Sequence, residues 1–366
     1  MNKEQTLILE LCTFLNPNRE KIDALLKESI NWPYVLGEIL FHRAGSIAYH
    51  SLKATQLWAN VPREVRSALK NTYESDVNKA KSMELAVKML SDILSKGTFP
   101  YAFLKGSILT GSYPQGLRTS NDIDLLVRQK DLTEIESLLK ENGFEQGYLK
   151  TDEFKPATRA EILSARMNRG ETVPFVKCVD LPQMKYLEVD LNFSLDFKAK
   201  YESDTVGMFL SHVVDYLMPN GVSLRTLDKY DFFIHLCVHL HKEATTYAWV
   251  ERQSDIGLYK FADLYLLYNQ WLSNNNEYTN LSNRIREYGL ERECYYALFY
   301  MTEIFKIRDR FFEDFLCQIQ PQNMDFLREI TSPTDNQVYR YDKPFSEWIF
   351  TNNRKELLYE ASNETP

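Results

Sequence analysis

Asp122-Ile123-Asp124-Leu125-Leu126-Val127 alternates acid with apolar residue and then turns wholly apolar. Alternation at period two predicts a β-strand, and both carboxylates then leave the same face of its sheet. Upstream, Phe99-Pro100-Tyr101-Ala102-Phe103-Leu104 predicts another short strand, which runs into Lys105-Gly106-Ser107. Gly106 to Gly111 has the composition of a helical turn, and Ser112 to Asn121 reads as a loop containing Pro114 and Gly116. Small residues at a strand–helix junction let backbone amides and the Ser107 hydroxyl approach a triphosphate, with partial positive charge from the helix N-terminus. Downstream, Leu132 to Glu141 predicts a helix closed by Asn142-Gly143. Thr172 to Val179 and Met184 to Phe193 predict two strands joined by a turn around Asp180-Leu181-Pro182. Glu188 and Asp190 repeat the acid alternation on the second of these. If that strand lies beside Asp122–Val127, a third acid joins the first two.

The chemistry follows from the donor type. Carboxylates a few ångströms apart suit one or two Mg²⁺ ions, which take oxygen ligands, keep some water and also grip substrate phosphates. Acids gathered on one face repel one another, and a cation relieves that repulsion. Two metals about 3.5–4 Å apart hold the attacking oxygen and the leaving pyrophosphate in line. A lone D-x-D or a lone Gly-Ser says little. Their order and spacing together point to phosphoryl chemistry.

On either side the period changes to that of helices. Residues 1–97 read as helical, and within Pro62 to Lys96 the positions Ala86, Met89, Leu90, Ile93 and Leu94 form one buried face before Gly97 stops it. After about Val206 helices are predicted over 206–218, 228–243, 254–270, 279–288 and 291–307, and the last stretch reads as short helices with polar connections. The expected fold class is α+β: a small mixed sheet in residues 98–200, flanked by helical regions 1–97 and 201–366. With 366 residues and 44% hydrophobic content the chain can bury more than one core. The five cysteines are scattered without a CxxC pair, the pattern of reduced thiols in a cytoplasmic protein. Neither a secretory signal nor a run of roughly 20 apolar residues is present, so no membrane association is expected. The formal charge of −8 argues against bulk nucleic-acid binding, which draws on Lys and Arg.

Leu104-Lys105-Gly106-Ser107 followed by Leu117-Arg118-Thr119-Ser120-Asn121-Asp122-Ile123-Asp124-Leu125-Leu126-Val127 resembles the signature of the nucleotidyltransferase superfamily that includes DNA polymerase beta. More narrowly it resembles the bacterial uncharacterised nucleotidyltransferase family, over residues 80 to 270. The resemblance implies a nucleotidyltransferase palm at 98–200 that moves a nucleoside monophosphate from a nucleoside triphosphate, ATP being expected, to an acceptor with release of pyrophosphate. It implies that Gly106 and Ser107 hold the triphosphate, that Asp122 and Asp124 bind the metals, and that Asp190 is the third acid. The narrower family often has an acid-Leu-His stretch where this chain has Asp190-Leu191-Asn192. Lys105 and Arg118 match basic positions of the motif and are the expected phosphate partners, Arg as a fork and Lys as a point charge. Replacing either strand acid is expected to remove activity while relieving repulsion. A small molecule, a peptide or a protein side chain fits as acceptor.

His235 and His239 lie one helical turn apart, but no acid between them and no further ligand at suitable spacing supports zinc. That helix is expected to pack behind the sheet, its polar face (His239, Lys242, Glu243) bordering the cleft, with Glu243 as a candidate acceptor base. Lys260 and Asp263 are expected to form a surface ion pair. Serine-hydrolase, kinase and P-loop signatures are missing. The rivals are a catalytically degenerate module that binds nucleotide or a partner without turnover, and a template-independent polymerase of RNA ends, which needs a basic track.

Overall fold

The computed structural model describes residues 1–151, 153–197, 204–218, 221–272 and 274–361. Four short helices come first: α1 (Lys3–Cys12), α2 (Arg19–Leu26), α3 (Trp32–Phe41) and α4 (Gly45–Ala54). Asn2, Asn18 and Asn31 cap the first three, each side chain accepting a backbone N–H of the first turn. The 32-residue α5 (Arg63–Leu94) follows. The order then becomes mixed: β1 (Tyr101–Phe103), α6 (Gly106–Ser112), β2 (Asp122–Val127), α7 (Leu132–Glu141), β3 (Glu145–Lys150), β4 (Glu153–Pro156), α8 (Arg159–Asn168), β5 (Phe175–Leu181), β6 (Met184–Asn192), α9 (Thr205–Ser211), β7 (Val213–Leu217) and β8 (Ser223–Leu227). The remainder is α10 (Lys229–Ala244), α11 (Tyr247–Glu251), α12 (Leu258–Trp271), α13 (Asn275–Tyr288), α14 (Glu291–Phe305), α15 (Arg310–Ile319), β9 (Glu329–Thr331), β10 (Val338–Arg340), α16 (Phe345–Trp348) and β11 (Tyr359–Glu360). The class is α+β.

Contacts divide the chain into two compact units, and the divisions fall within α5 and α10. One unit, Tyr73–Phe232, contains the eight-stranded mixed sheet and all of residues 98–200. Its strand order is β4-β3-β5-β6-β2-β1-β8-β7. β2 lies at the centre because Ile123, Leu125, Leu126 and Val127 are all fully buried, which suits a strand covered on both faces. It pairs in parallel with β6 and antiparallel with β1.

The other unit joins Met1–Thr72 to Phe233–Pro366. Its core includes an aromatic cluster on α14, where Tyr300 stacks on Phe345 with ring centroids 3.7 Å apart. Arg354 is buried there and donates its Nε to Asp255 at 2.9 Å. Among the described residues no helix is long and apolar enough to cross a membrane.

Several expectations need correction. Residues 206–218 are not one helix: α9 ends at Ser211 and Val213–Leu217 forms β7, paired with β8 at the sheet edge. The β-branched and aromatic alternation of Val213-Val214-Asp215-Tyr216 outweighs the helical period there. The turn between β5 and β6 lies at Pro182-Gln183, one residue later than predicted, with Gln183 at φ 58° and Leu181 opposite Met184. The C-terminal stretch carries a three-stranded sheet, β11-β10-β9, besides its short helices. Lys260 is not in a surface pair with Asp263. It is buried, ion-paired with Glu243, and donates to the Asp255 carbonyl at 2.8 Å.

Candidate functional site

The junction after β1 is tied to β2 by the Leu104 N–H, which donates to the Asp124 carbonyl at 3.0 Å. Lys105 then takes φ 46° and ψ −121°, a conformation that L-residues rarely adopt, and its carbonyl accepts from the Ile108 and Leu109 amides. Gly106 opens the seven-residue α6. A Cβ at Gly106 would lie 2.4 Å from the Ser120 Cβ, so the glycine lets the loop before β2 cross closely over the helix start. Along that loop Gly116 sits at φ 80°. Arg118 is buried and donates to the Thr119 carbonyl, and Ser120 Oγ donates to Asp122 Oδ1 at 2.8 Å.

The parallel pairing of β2 with β6 sets Asp122 opposite Glu188 and Asp124 opposite Asp190. Residues opposite each other on neighbouring strands share a face, so all four carboxylates emerge on one side of the sheet. Asp124 is the most enclosed, 6% exposed. Its Oδ1 accepts from Lys105 Nζ at 2.7 Å and from Asn192 Nδ2 at 3.2 Å. The crowding shows in proton affinity. Burial and then the charges of Asp122 and Asp124 push the Glu188 carboxyl up to about 7. Burial, followed by the charges of Asp124, Asp122, Glu171 and Glu188, holds Asp190 well above the usual carboxylate range.

Thus the structure brings together Asp122, Asp124, Asp190 and Lys105. Ser107 is also at this junction; its Oγ is buried without a hydrogen-bond partner, and the residue lines a small cavity with Met83, Val87, Thr110 and Leu224. Glu243 belongs to the other unit, where its carboxylate is ion-paired with Lys260 and lies 3.3 Å from His239 Nε2. The His235 and His239 rings stack in parallel, 6.3 Å apart. Among the described residues no three His, Cys, Asp or Glu side chains form a ready metal cage. The ammonium of Lys105 stands on Asp124 instead.

Sequence reasoning missed the donors that orient the acids. Asn192 was within reach of it, because 188, 190 and 192 share a face of β6 by the same alternation that exposed the acids. Ser120 had no such signal, being set by a loop. Glu171 is brought in by an isolated bridge to Asn192, and Lys79 of α5 reaches Asn121, both through tertiary structure alone.

No curated protein matches the chain. A family model described as an uncharacterised nucleotidyltransferase matches residues 28–306, which include the whole of the eight-stranded sheet with its four paired carboxylates. The chain therefore belongs to the uncharacterised nucleotidyltransferase family.

Proposed function

We propose that the chain is a metal-dependent nucleotidyltransferase, with a palm of the DNA polymerase beta type at residues 98–200 and with ATP as the expected donor. The observation that carries this reading is the β2–β6 register, which gathers Asp122, Glu188, Asp124 and Asp190 on one face beside Lys105. The donor set is all carboxylate, mutually repelling and partly enclosed, which fits hard divalent cations that retain water. Asp122, Asp124 and Asp190 are the residues that would hold two Mg²⁺ ions. When bound, these ions would supply Lewis-acid charge to the triphosphate and lower the acceptor's pKa.

The chain's own residues then have separate tasks. Ser120 and Asn192 fix the rotamers of Asp122 and Asp124 by donating to them. Lys105 offers an ammonium to the phosphates, and Gly106 and Ser107 are the residues proposed to hold the triphosphate, the buried Ser107 hydroxyl having no hydrogen-bond partner of its own. Arg118 and Gly106 shape the loop over α6, with Arg118 as a further phosphate partner. An acceptor hydroxyl, or another nucleophile, attacks the α-phosphorus in line. The bond to the bridging oxygen breaks, pyrophosphate leaves, and the acceptor's proton passes to a carboxylate of the cluster. The acceptor class proposed is a small molecule or peptide, and the compartment the cytoplasm, in keeping with free Cys12, Cys178, Cys237, Cys294 and Cys317.

Calorimetric titration with ATP and Mg²⁺, followed by pyrophosphate release over an acceptor panel, tests the proposal. Saturable binding with acceptor-dependent release supports it. Binding without release for every acceptor favours the degenerate module, a reading to which the Lys105–Asp124 pair lends some weight.

A further inference from the structure

Lys105 does more in this geometry than wait for a phosphate. Its ammonium lies 2.7 Å from Asp124 Oδ1, with the lysine side chain 17% and the aspartate side chain 7% exposed. Asp124 is one of the carboxylates proposed above to hold the divalent cations. An ammonium and a dication on one carboxylate repel strongly in a partly dehydrated site, so occupancy by one opposes the other. The backbone around Lys105 is held by three hydrogen bonds, to Asp124, Ile108 and Leu109. The mobile part is therefore the four-carbon stem, and the charge it carries is compact and transferable between anions.

We infer that Lys105 is a positioning residue that couples metal binding to nucleotide binding. Without nucleotide it neutralises Asp124 and keeps divalent metal affinity low. When a triphosphate arrives, its negative charge draws the ammonium away from Asp124 and frees that carboxylate for the cation. Metal and nucleotide then strengthen each other's binding by the same factor, as linkage requires. This inference rests on the functional reading above, but its test needs neither an acceptor nor turnover.

The test is Mn²⁺ binding to the full chain, measured by electron paramagnetic resonance with and without α,β-methylene-ATP, for the wild type, Lys105→Gln and Lys105→Arg. The wild type should bind Mn²⁺ at least about tenfold more tightly when the analogue is present. Lys105→Gln should bind Mn²⁺ alone about fivefold more tightly than the wild type and gain little from the analogue. Lys105→Arg, which keeps the charge, should retain weak binding of the metal alone. Thermal melts add a second readout: Lys105→Gln should lose stability in metal-free buffer and recover it with Mn²⁺, whereas a purely structural lysine would leave the same deficit in both. Equal or weaker Mn²⁺ binding by Lys105→Gln overturns the inference. So does a wild-type Mn²⁺ affinity indifferent to the analogue, a result that stands even if the glutamine variant fails to fold. Acceptor-dependent pyrophosphate release with either result would show that the functional reading survives without this one. Failure of the wild type to bind either metal or analogue would sink both.

Discussion

Asp122 and Asp124 share a strand and a face but not a set of neighbours. Asp122 accepts from Ser120 and faces Glu188, while Asp124 faces Asp190 and carries the Lys105 ammonium. Neutralising Asp122 therefore removes repulsion and strands no cation. Neutralising Asp124 takes away the carboxylate that accepts from the largely buried Lys105 ammonium at 2.7 Å. Both Asp122→Asn and Asp124→Asn should lower pyrophosphate release at least about 100-fold, since several kcal/mol of transition-state stabilisation depend on the cations they hold. Their thermal midpoints should part: unchanged or raised for Asp122→Asn, and lowered by about 1–2 kcal/mol of stability for Asp124→Asn. Full release activity in Asp122→Asn would contradict the assigned role. Equal destabilisation by both substitutions would contradict the assigned electrostatics.

At the scale of elements, the junction from β1 through α6 to β2 depends on close approach at Gly106. A methyl there would meet Ser120 Cβ at 2.4 Å, so Gly106→Ala should cost about 1–3 kcal/mol in urea unfolding. Adding Ser120→Gly removes the obstructing atom and should return part of that loss; no recovery in the double variant would mean that the strain lies elsewhere. The elements that were legible in the sequence are those with one strong period and clear ends. Asp122–Val127 and Leu132–Glu141 appear at the predicted residues, as does all but the last residue of Met184–Phe193. Strands without a clear apolar alternation were not legible. β3 (Glu145–Lys150) has Gly147 in its middle and no regular apolar period, β4 spans only four residues, and β9 to β11 have three residues or fewer, too few for any period to register. The acid cluster itself was half legible: alternation placed each pair of acids on a face, but only the parallel β2–β6 register, a tertiary fact, put the pairs side by side.

For the molecule as a whole, acid stability is governed in part by His42 in the unit formed by Met1–Thr72 and Phe233–Pro366. Its ring is fully buried between Phe41 and Phe350, 3.6 Å from Glu38, and burial followed by the charge of Arg354 pushes its pKa down to about 3. The unfolded chain takes up that proton near pH 6.5 and the folded chain only near 3. The native state is therefore favoured above pH 6.5 and loses that advantage as pH falls through this window, on the order of 3 kcal/mol by pH 4. His42→Leu should make the fall in unfolding free energy shallower by about one proton, with His241, also pushed down to about 3, keeping part of the slope. An unchanged slope would show that His42 is protonated in the native state. The carboxylate face on β2 and β6 remains the feature on which the functional account turns. Anomalous diffraction from crystals grown with Mn²⁺ and α,β-methylene-ATP tests it most directly. The account predicts manganese peaks within about 2.3 Å of carboxylate oxygens of Asp122, Asp124 and Asp190, with the Lys105 ammonium on the triphosphate. Manganese bound elsewhere, or Lys105 still on Asp124 beside an ordered nucleotide, would contradict it.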